Sequence, residues 1–167
     1  MQMEHRDADG APADFDALFR AHFPPMVRAL SVACGDADVA ADAVQEAFVK
    51  AYARWRRISR YDDPVGWVRH VALNGIRDHF RRASRGRVAV ERLGARTEFT
   101  APGPDLPDGT LALLADLPPQ QRTALALFYV SDCSVAEIAG AMGISEGAVK
   151  YHLHAGRTAL RPRVEET

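Results

Sequence analysis

Residues 134–157 read SVAEIAGAMGISEGAVKYHLHAGR, and this stretch decides the fold. Ser134 and Glu137 stand in S-x-x-E spacing. In that capping box the hydroxyl accepts the backbone N–H three residues on, and the carboxylate reaches back to the N–H of the cap. A helix therefore starts at Ser134, with Ile138, Ala139 and Met142 as its inner face. Gly143 falls where the helix needs a left-handed residue to stop, and Ile144 packs across the turn. Ser145 caps a second helix whose inner residues are Val149, Leu153 and Leu160. With small Ala139 at the crossing, this is a helix-turn-helix, whose second helix enters the major groove of DNA. A plain αα-hairpin has the same inner pattern. The outward set Lys150, Tyr151, His152, His154 and Arg157 favours DNA, because each can hydrogen-bond and two carry fixed positive charge. His152 and His154 point about 200° apart on a helix and cannot share an ion. His22, His70 and His79 have no partner cysteine or carboxylate at ligand spacing either, so no metal or other cofactor is expected.

Upstream, Pro118-Pro119 open a helix containing Leu125, Phe128 and Tyr129, and helical periodicity begins at Leu111. Residues 88–110 hold Gly94, Pro102, Gly103, Pro104, Pro107 and Gly109 with an acidic balance, which reads as an extended linker. Before the linker, Phe15, Leu18, Phe19 and Phe23 fall on one helical face from Asp14 onward. Pro24-Pro25 should break that helix before Val27, Leu30 and Val32. The next helix starts near Asp36 or Asp38 and turns Val44, Phe48, Tyr52 and Trp55 inward, leaving Gln45, Glu46 and Lys50 outward. Pro64 pushes Asp63 out of the helical region and makes Tyr61–Pro64 a turn. A further helix follows, with Trp67, Val71 and Ile76 near its inner face. No strand pattern appears. The expected architecture is all-α: a disordered tail over 1–12, a helical domain over 13–87, the linker over 88–110, and a helix-turn-helix domain over 111–163.

The net charge of −1 is uninformative because the charges are segregated. Between Lys50 and Arg87 eleven basic residues face only Asp62, Asp63 and Asp78, with aromatic residues interleaved. A surplus that concentrated marks a polyanion site better than a merely solvated face. Cys34 and Cys133 are isolated thiols, which fits a reducing cytoplasm. Neither a leader pattern nor a run long enough to span a bilayer is present, so no membrane insertion is expected.

With both halves in view, the chain resembles the extracytoplasmic-function group of bacterial sigma factors over roughly residues 13–162. Three motifs carry the resemblance: Asp42-Ala43-Val44-Gln45-Glu46-Ala47-Phe48-Val49-Lys50-Ala51-Tyr52; Trp67 followed by Asn74, Asp78 and Arg81-Arg82; and Leu117-Pro118 leading into Glu137-Ile138-Ala139 and Gly147-Ala148-Val149-Lys150. The resemblance implies a non-enzymatic initiation factor that carries core RNA polymerase to promoters and helps melt them. Its implied partners are core polymerase (the β′ clamp and β), promoter DNA and an anti-sigma factor. Implied polymerase contacts are Asp42, Gln45, Glu46, Val49 and Lys50. Implied minus-ten contacts are Arg60, Tyr61, Asp62, Trp67, Arg69, His70, Asn74, Arg77, Arg81 and Arg82, with Asn74 and the turn from Ser59 to Gly66 holding a flipped base. Implied minus-thirty-five contacts are Arg122, Ser145, Gly147, Lys150, Tyr151, His152, His154 and Arg157. The family usually has arginine where this chain has His152 and Ala155. A helix-turn-helix regulator working without polymerase would explain residues 134–157 but not the first two motifs. An enzyme would need clustered carboxylates, a Cys/His site or a phosphate loop, and none is seen.

Overall fold

The computed structural model describes residues 10–90 and 109–165, and among these there are eight helices and no strand. They are α1 (Gly10–Cys34), α2 (Ala37–Ala53), α3 (Trp55–Ile58), α4 (Pro64–Val90), α5 (Thr110–Ala115), α6 (Pro119–Tyr129), α7 (Val135–Met142) and α8 (Glu146–Glu165). Helices α1 to α4 form one half and α5 to α8 the other. Residues 91–108 of the expected linker lie outside the described residues, as do residues 1–9 of the expected tail.

The local signals act as their chemistry requires. Asp36 starts α2, its carboxylate accepting from the N–H groups of Asp38 and Val39. Asp63 starts α4 by accepting from the Gly66 N–H at 2.8 Å. A Cβ on Gly66 would meet that carboxylate, so a larger residue there would make the Asp63 side chain shift. Both bonds of the Ser134–Glu137 capping box form, Gly143 adopts φ 67°, and the Ser145 hydroxyl accepts from the Ala148 N–H.

Three expectations are corrected. Helix α1 begins at Gly10 and runs through Pro24-Pro25 without a break. Its second half buries Met26, Ala29, Leu30, Val32 and Ala33, and that packing outweighs two missing backbone donors. Tyr52 is 60% exposed, although its ring lies edge-on to Phe15. Eight residues past Val44 the face has rotated by about 80°, so Ala47 and Ala51 take the inward positions instead. Phe19 likewise sits at the rim, stacked on Phe23 and edge-on to Phe48.

The two halves share one hydrophobic core that runs from Phe15 to Leu153. Helix α1 packs on α6, and α4 packs on α7. Arg122 ties the first seam, its Nε donating to the Ala33 carbonyl at 2.7 Å and Nη1 to the Ala115 carbonyl at 3.3 Å. Within the second half, α8 crosses α6 at Gly156, which is buried. An added Cβ there would stand 2.7 Å from Leu125 Cδ1 and 3.2 Å from its Cγ, and Leu125 is itself buried. Gly156→Ala should therefore overpack the crossing, with the helix-propensity gain only partly offsetting the clash. The net loss should be about 1 kcal/mol by urea denaturation. An unchanged or raised midpoint would show that the crossing has room.

Candidate nucleic-acid and polymerase interfaces

Asp42, Gln45, Glu46, Val49 and Lys50 are all exposed on α2. Their spacing of i, i+3, i+4, i+7 and i+8 lines them along one stripe opposite the buried Ala40, Val44, Ala47, Phe48 and Ala51. Lys50 and Glu46 pair at 3.1 Å along it. On one flank Phe19, Phe23, Val49 and Tyr52 line a shallow apolar groove with Gln45. The sequence pattern assigns Phe19 and Tyr52 to the core, and only the drift of the helical face brings them out. On the other flank a polar groove separates α2 from α4, with Asp42, Glu46 and Lys50 facing Asn74, Asp78 and Arg82.

The α3–α4 turn gathers Arg56, Arg57 and Arg60 around Tyr61. Arg56 and Arg57 are outside the expected contact set, although their i+3 and i+4 spacing to Arg60 is a readable signal. Arg60, Tyr61 and Asp62 are exposed. Trp67 is half-buried and packs against the core. Along the rest of α4, Arg77, Arg81 and Arg82 are exposed, and Arg81 lies 3.8 Å from Asp78.

Arg69 is buried, and His70 and Asn74 are half-buried, with Asn74 on the α2–α4 groove. Arg69 is 8% exposed, and its Nη1 has no hydrogen-bond partner in the protein. The His70 Nδ1 lies 2.9 Å from the Ala141 carbonyl, and its Nε2 lies 3.1 Å from Asn74 Nδ2. A carbonyl only accepts, so Nδ1 carries the proton and Nε2 accepts from the Asn74 amide. Arg77 Nη2 donates to the Met142 carbonyl at 3.1 Å. Burial lowers the pKa of His22, and the nearby Arg69 charge lowers it further. Burial raises the Cys133 thiol, partly opposed by that same guanidinium.

On α8, Ser145, Gly147, Lys150, Tyr151 and His154 are exposed, forming the open face of the second helix of the helix-turn-helix. His152 departs from the outward position expected of it. It is half-buried beside the inward Val149 and Leu153, and its Nδ1 is buried without a protein partner. Arg157 is exposed but turned back on α6. Its Nε donates to the Tyr129 hydroxyl at 2.8 Å, and its guanidinium lies 5.1 Å from the Phe128 ring centre and 5.5 Å from that of Tyr129. Arg122 is half-buried in the α1–α6 seam, away from the α8 face, because its donors satisfy the carbonyls of Ala33 and Ala115. Among the described residues no helix is long and apolar enough to cross a membrane.

Comparison with known proteins matches each half of the chain to a family model of its own. The family model for Sigma-70 region 2 matches residues 18–86, and that for Sigma-70 region 4 matches residues 110–160. The ECF RNA polymerase sigma factor SigL of Mycobacterium tuberculosis is 33% identical over 171 residues, covering 94% of this chain and 94% of the relative. SigE of Mycolicibacterium smegmatis is 30% identical, covering 93% of this chain but 64% of SigE. RNA polymerase sigma factor CarQ of Myxococcus xanthus is 28% identical, covering 96% of this chain and 95% of CarQ. Among solved structures, the sigma factor RpoE from Bartonella quintana, in complex with the anti-sigma factor NepR, aligns with a TM-score of 0.77 at 24% identity, covering 91% of this chain and 97% of that one. CnrH, in complex with the cytosolic domain of CnrY, aligns with a TM-score of 0.62 at 24% identity, covering 95% of this chain and 92% of that one. At such identities the structural likeness establishes the fold alone.

Proposed function

The chain belongs to the extracytoplasmic-function sigma factors of bacterial RNA polymerase, and on that premise we propose how its surfaces divide the work. The exposed stripe Asp42, Gln45, Glu46, Val49 and Lys50 docks on the core enzyme at the β′ clamp. The observation that carries this reading is a continuous exposed stripe backed by a fully buried face on the same helix. Val49 and the flanking Tyr52 add apolar area to a polar contact, the composition of an interface with a hydrophobic centre and a polar rim.

The second half engages duplex DNA at the minus-thirty-five element. Ser145 sets the N-terminus of α8 against a phosphate, where free N–H groups and the helix dipole favour an anion. Lys150, Tyr151 and His154 face the groove. Arg157, held by Tyr129 and Phe128, supports α8 from behind and adds positive field more than direct readout. The first half holds the melted minus-ten strand, with Arg56, Arg57, Arg60, Arg81 and Arg82 for phosphates, Tyr61 for stacking and Asn74 for one extruded base. The amide of Asn74 supplies both a donor and an acceptor for a base edge. RNA synthesis is left to the polymerase, so this chain needs no catalytic group of its own, and it works in the cytoplasm where the polymerase is. The Bartonella quintana neighbour is in complex with an anti-sigma factor, and an anti-sigma protein is proposed as a partner here as well. A regulator acting without polymerase would leave the α2 stripe unused.

Two variant sets test this reading. Glu46→Lys should weaken binding to core polymerase at least tenfold while circular dichroism stays unchanged; wild-type affinity would remove α2 from the polymerase interface. In holoenzyme, Asn74→Ala should flatten preference at one minus-ten position, and Lys150→Ala should do so within the minus-thirty-five element, each by about 1–3 kcal/mol. Uniform weakening across all sequences, measured by competition binding, would reassign either residue to phosphate contact.

A further inference from the structure

His70 and Asn74 stand one turn apart on α4, with His70 Nε2 and Asn74 Nδ2 at 3.1 Å. The pair is internal to one helix, so it moves with α4 whatever packs on that helix. Its direction is set from the far side of the ring. Nδ1 lies 2.9 Å from the Ala141 carbonyl, which only accepts, so in the neutral ring the proton sits on Nδ1 and Nε2 keeps a lone pair. Of the two ends of the Asn74 amide, only the nitrogen can donate to that lone pair. The carboxamide is therefore not free to turn over. Its nitrogen is held toward His70, and its oxygen is left for the α2–α4 groove, where Asn74 lines one wall. The charges around that groove, Asp42, Glu46 and Asp78 against Lys50 and Arg82, come close to cancelling and leave the choice of base to the neutral amide.

We infer that His70 is a positioning residue: it fixes the hand of the Asn74 carboxamide, and the pocket thereby selects a base with an exocyclic amine, adenine or cytosine, over guanine or thymine. The inference rests on the reading of Asn74 as the group that holds one extruded minus-ten base. Such a base is read along its Watson–Crick edge. There adenine and cytosine present an amine donor beside a ring-nitrogen acceptor, whereas guanine and thymine present a carbonyl acceptor beside a ring N–H. A carboxamide also carries an acceptor and a donor side by side. For a base held in one place it matches the first class in one orientation and the second when turned over. An unanchored asparagine takes whichever orientation suits the base and separates the classes poorly. Anchored through Nδ2, Asn74 has committed one of its two amide hydrogens, while both lone pairs of its oxygen remain. An amine donor is the partner it satisfies best. A base carbonyl set against Oδ1 would leave two acceptors facing each other, each without a hydrogen bond. His70 touches no base in this arrangement and acts through Asn74.

The test uses the full chain in holoenzyme, on four promoters that differ only at the non-template minus-ten position where Asn74→Ala removes the preference. Relative affinities are read by competition. Wild type should favour adenine or cytosine over guanine and thymine by about tenfold, the scale of a single base contact. His70→Lys offers only donors, so it should draw in the Asn74 oxygen, turn the amide over and move the preference to guanine or thymine. His70→Glu, ionised, offers only acceptors and should keep the wild-type order. His70→Met leaves the amide unanchored and should level the four promoters. An added charge changes affinity for all four together and cancels in these ratios. A merely structural role for His70 would lower binding without exchanging the two classes. If a charged variant fails to fold by circular dichroism, the other charged variant and His70→Met carry the test. A wild-type preference for guanine or thymine overturns the inference, as does a wild-type order in His70→Lys or His70→Met, and either result leaves Asn74 as the reader. Should Asn74→Ala change preference at no position, the reading of Asn74 falls and this inference falls with it.

Discussion

A helix that stops at a glycine leaves carbonyls its own turn cannot satisfy, and in this protein the end of α7 finds its donors on α4. Much of the arrangement depends on that contact. It fixes the helix-turn-helix against the first half, it orders His70, Asn74 and Arg77 on α4, and it selects the Nδ1–H tautomer of His70. The α1–α6 seam supplies apolar area, but the α4–α7 seam decides which polar atoms are engaged.

The same physics explains how one small chain presents separate surfaces for separate partners. Helix α2 buries a narrow alanine-rich stripe, so its neighbours in the core approach closely and its opposite face is free along the whole helix. Helix α8 buries Val149, Leu153 and Gly156 against α6 and α7, which leaves Lys150, Tyr151 and His154 free on the far side. Positive charge is concentrated at the α3–α4 turn and along α4, so the field is strongest where a single strand would pass, and nearly absent from the α2 stripe. Net charge near zero is the sum of these segregated surfaces.

What was legible in the sequence was local. Ser134 with Glu137 and Gly143 act within a turn of their own positions, so their roles follow from spacing alone, and spacing narrowed the start of α2 to Asp36 or Asp38. The helix-turn-helix and the α2 stripe were legible for the same reason. The residues that behaved differently are those decided by distant packing. Pro24 and Pro25 stay helical because the half of α1 beyond them is anchored in the core. Tyr52 turns outward because small alanines hold the inner track of α2. Arg122 and Arg157, both plausible DNA contacts by charge, are claimed by carbonyls and aromatic rings far along the chain. His152 sinks toward Val149 and Leu153, where an arginine would have had to reach out. The hydrogen bond between α4 and α7 joins residues 70 and 141, and no local pattern announces it.

The claim on which the rest hangs is that this chain gives core polymerase a promoter choice. Run-off transcription with core polymerase and the full chain, on genomic fragments with the 5′ ends of the transcripts mapped, addresses it most directly. The account predicts discrete start sites that appear only when the chain is added and that share upstream elements at the minus-ten and minus-thirty-five positions. Transcripts indistinguishable from those of core polymerase alone would contradict it.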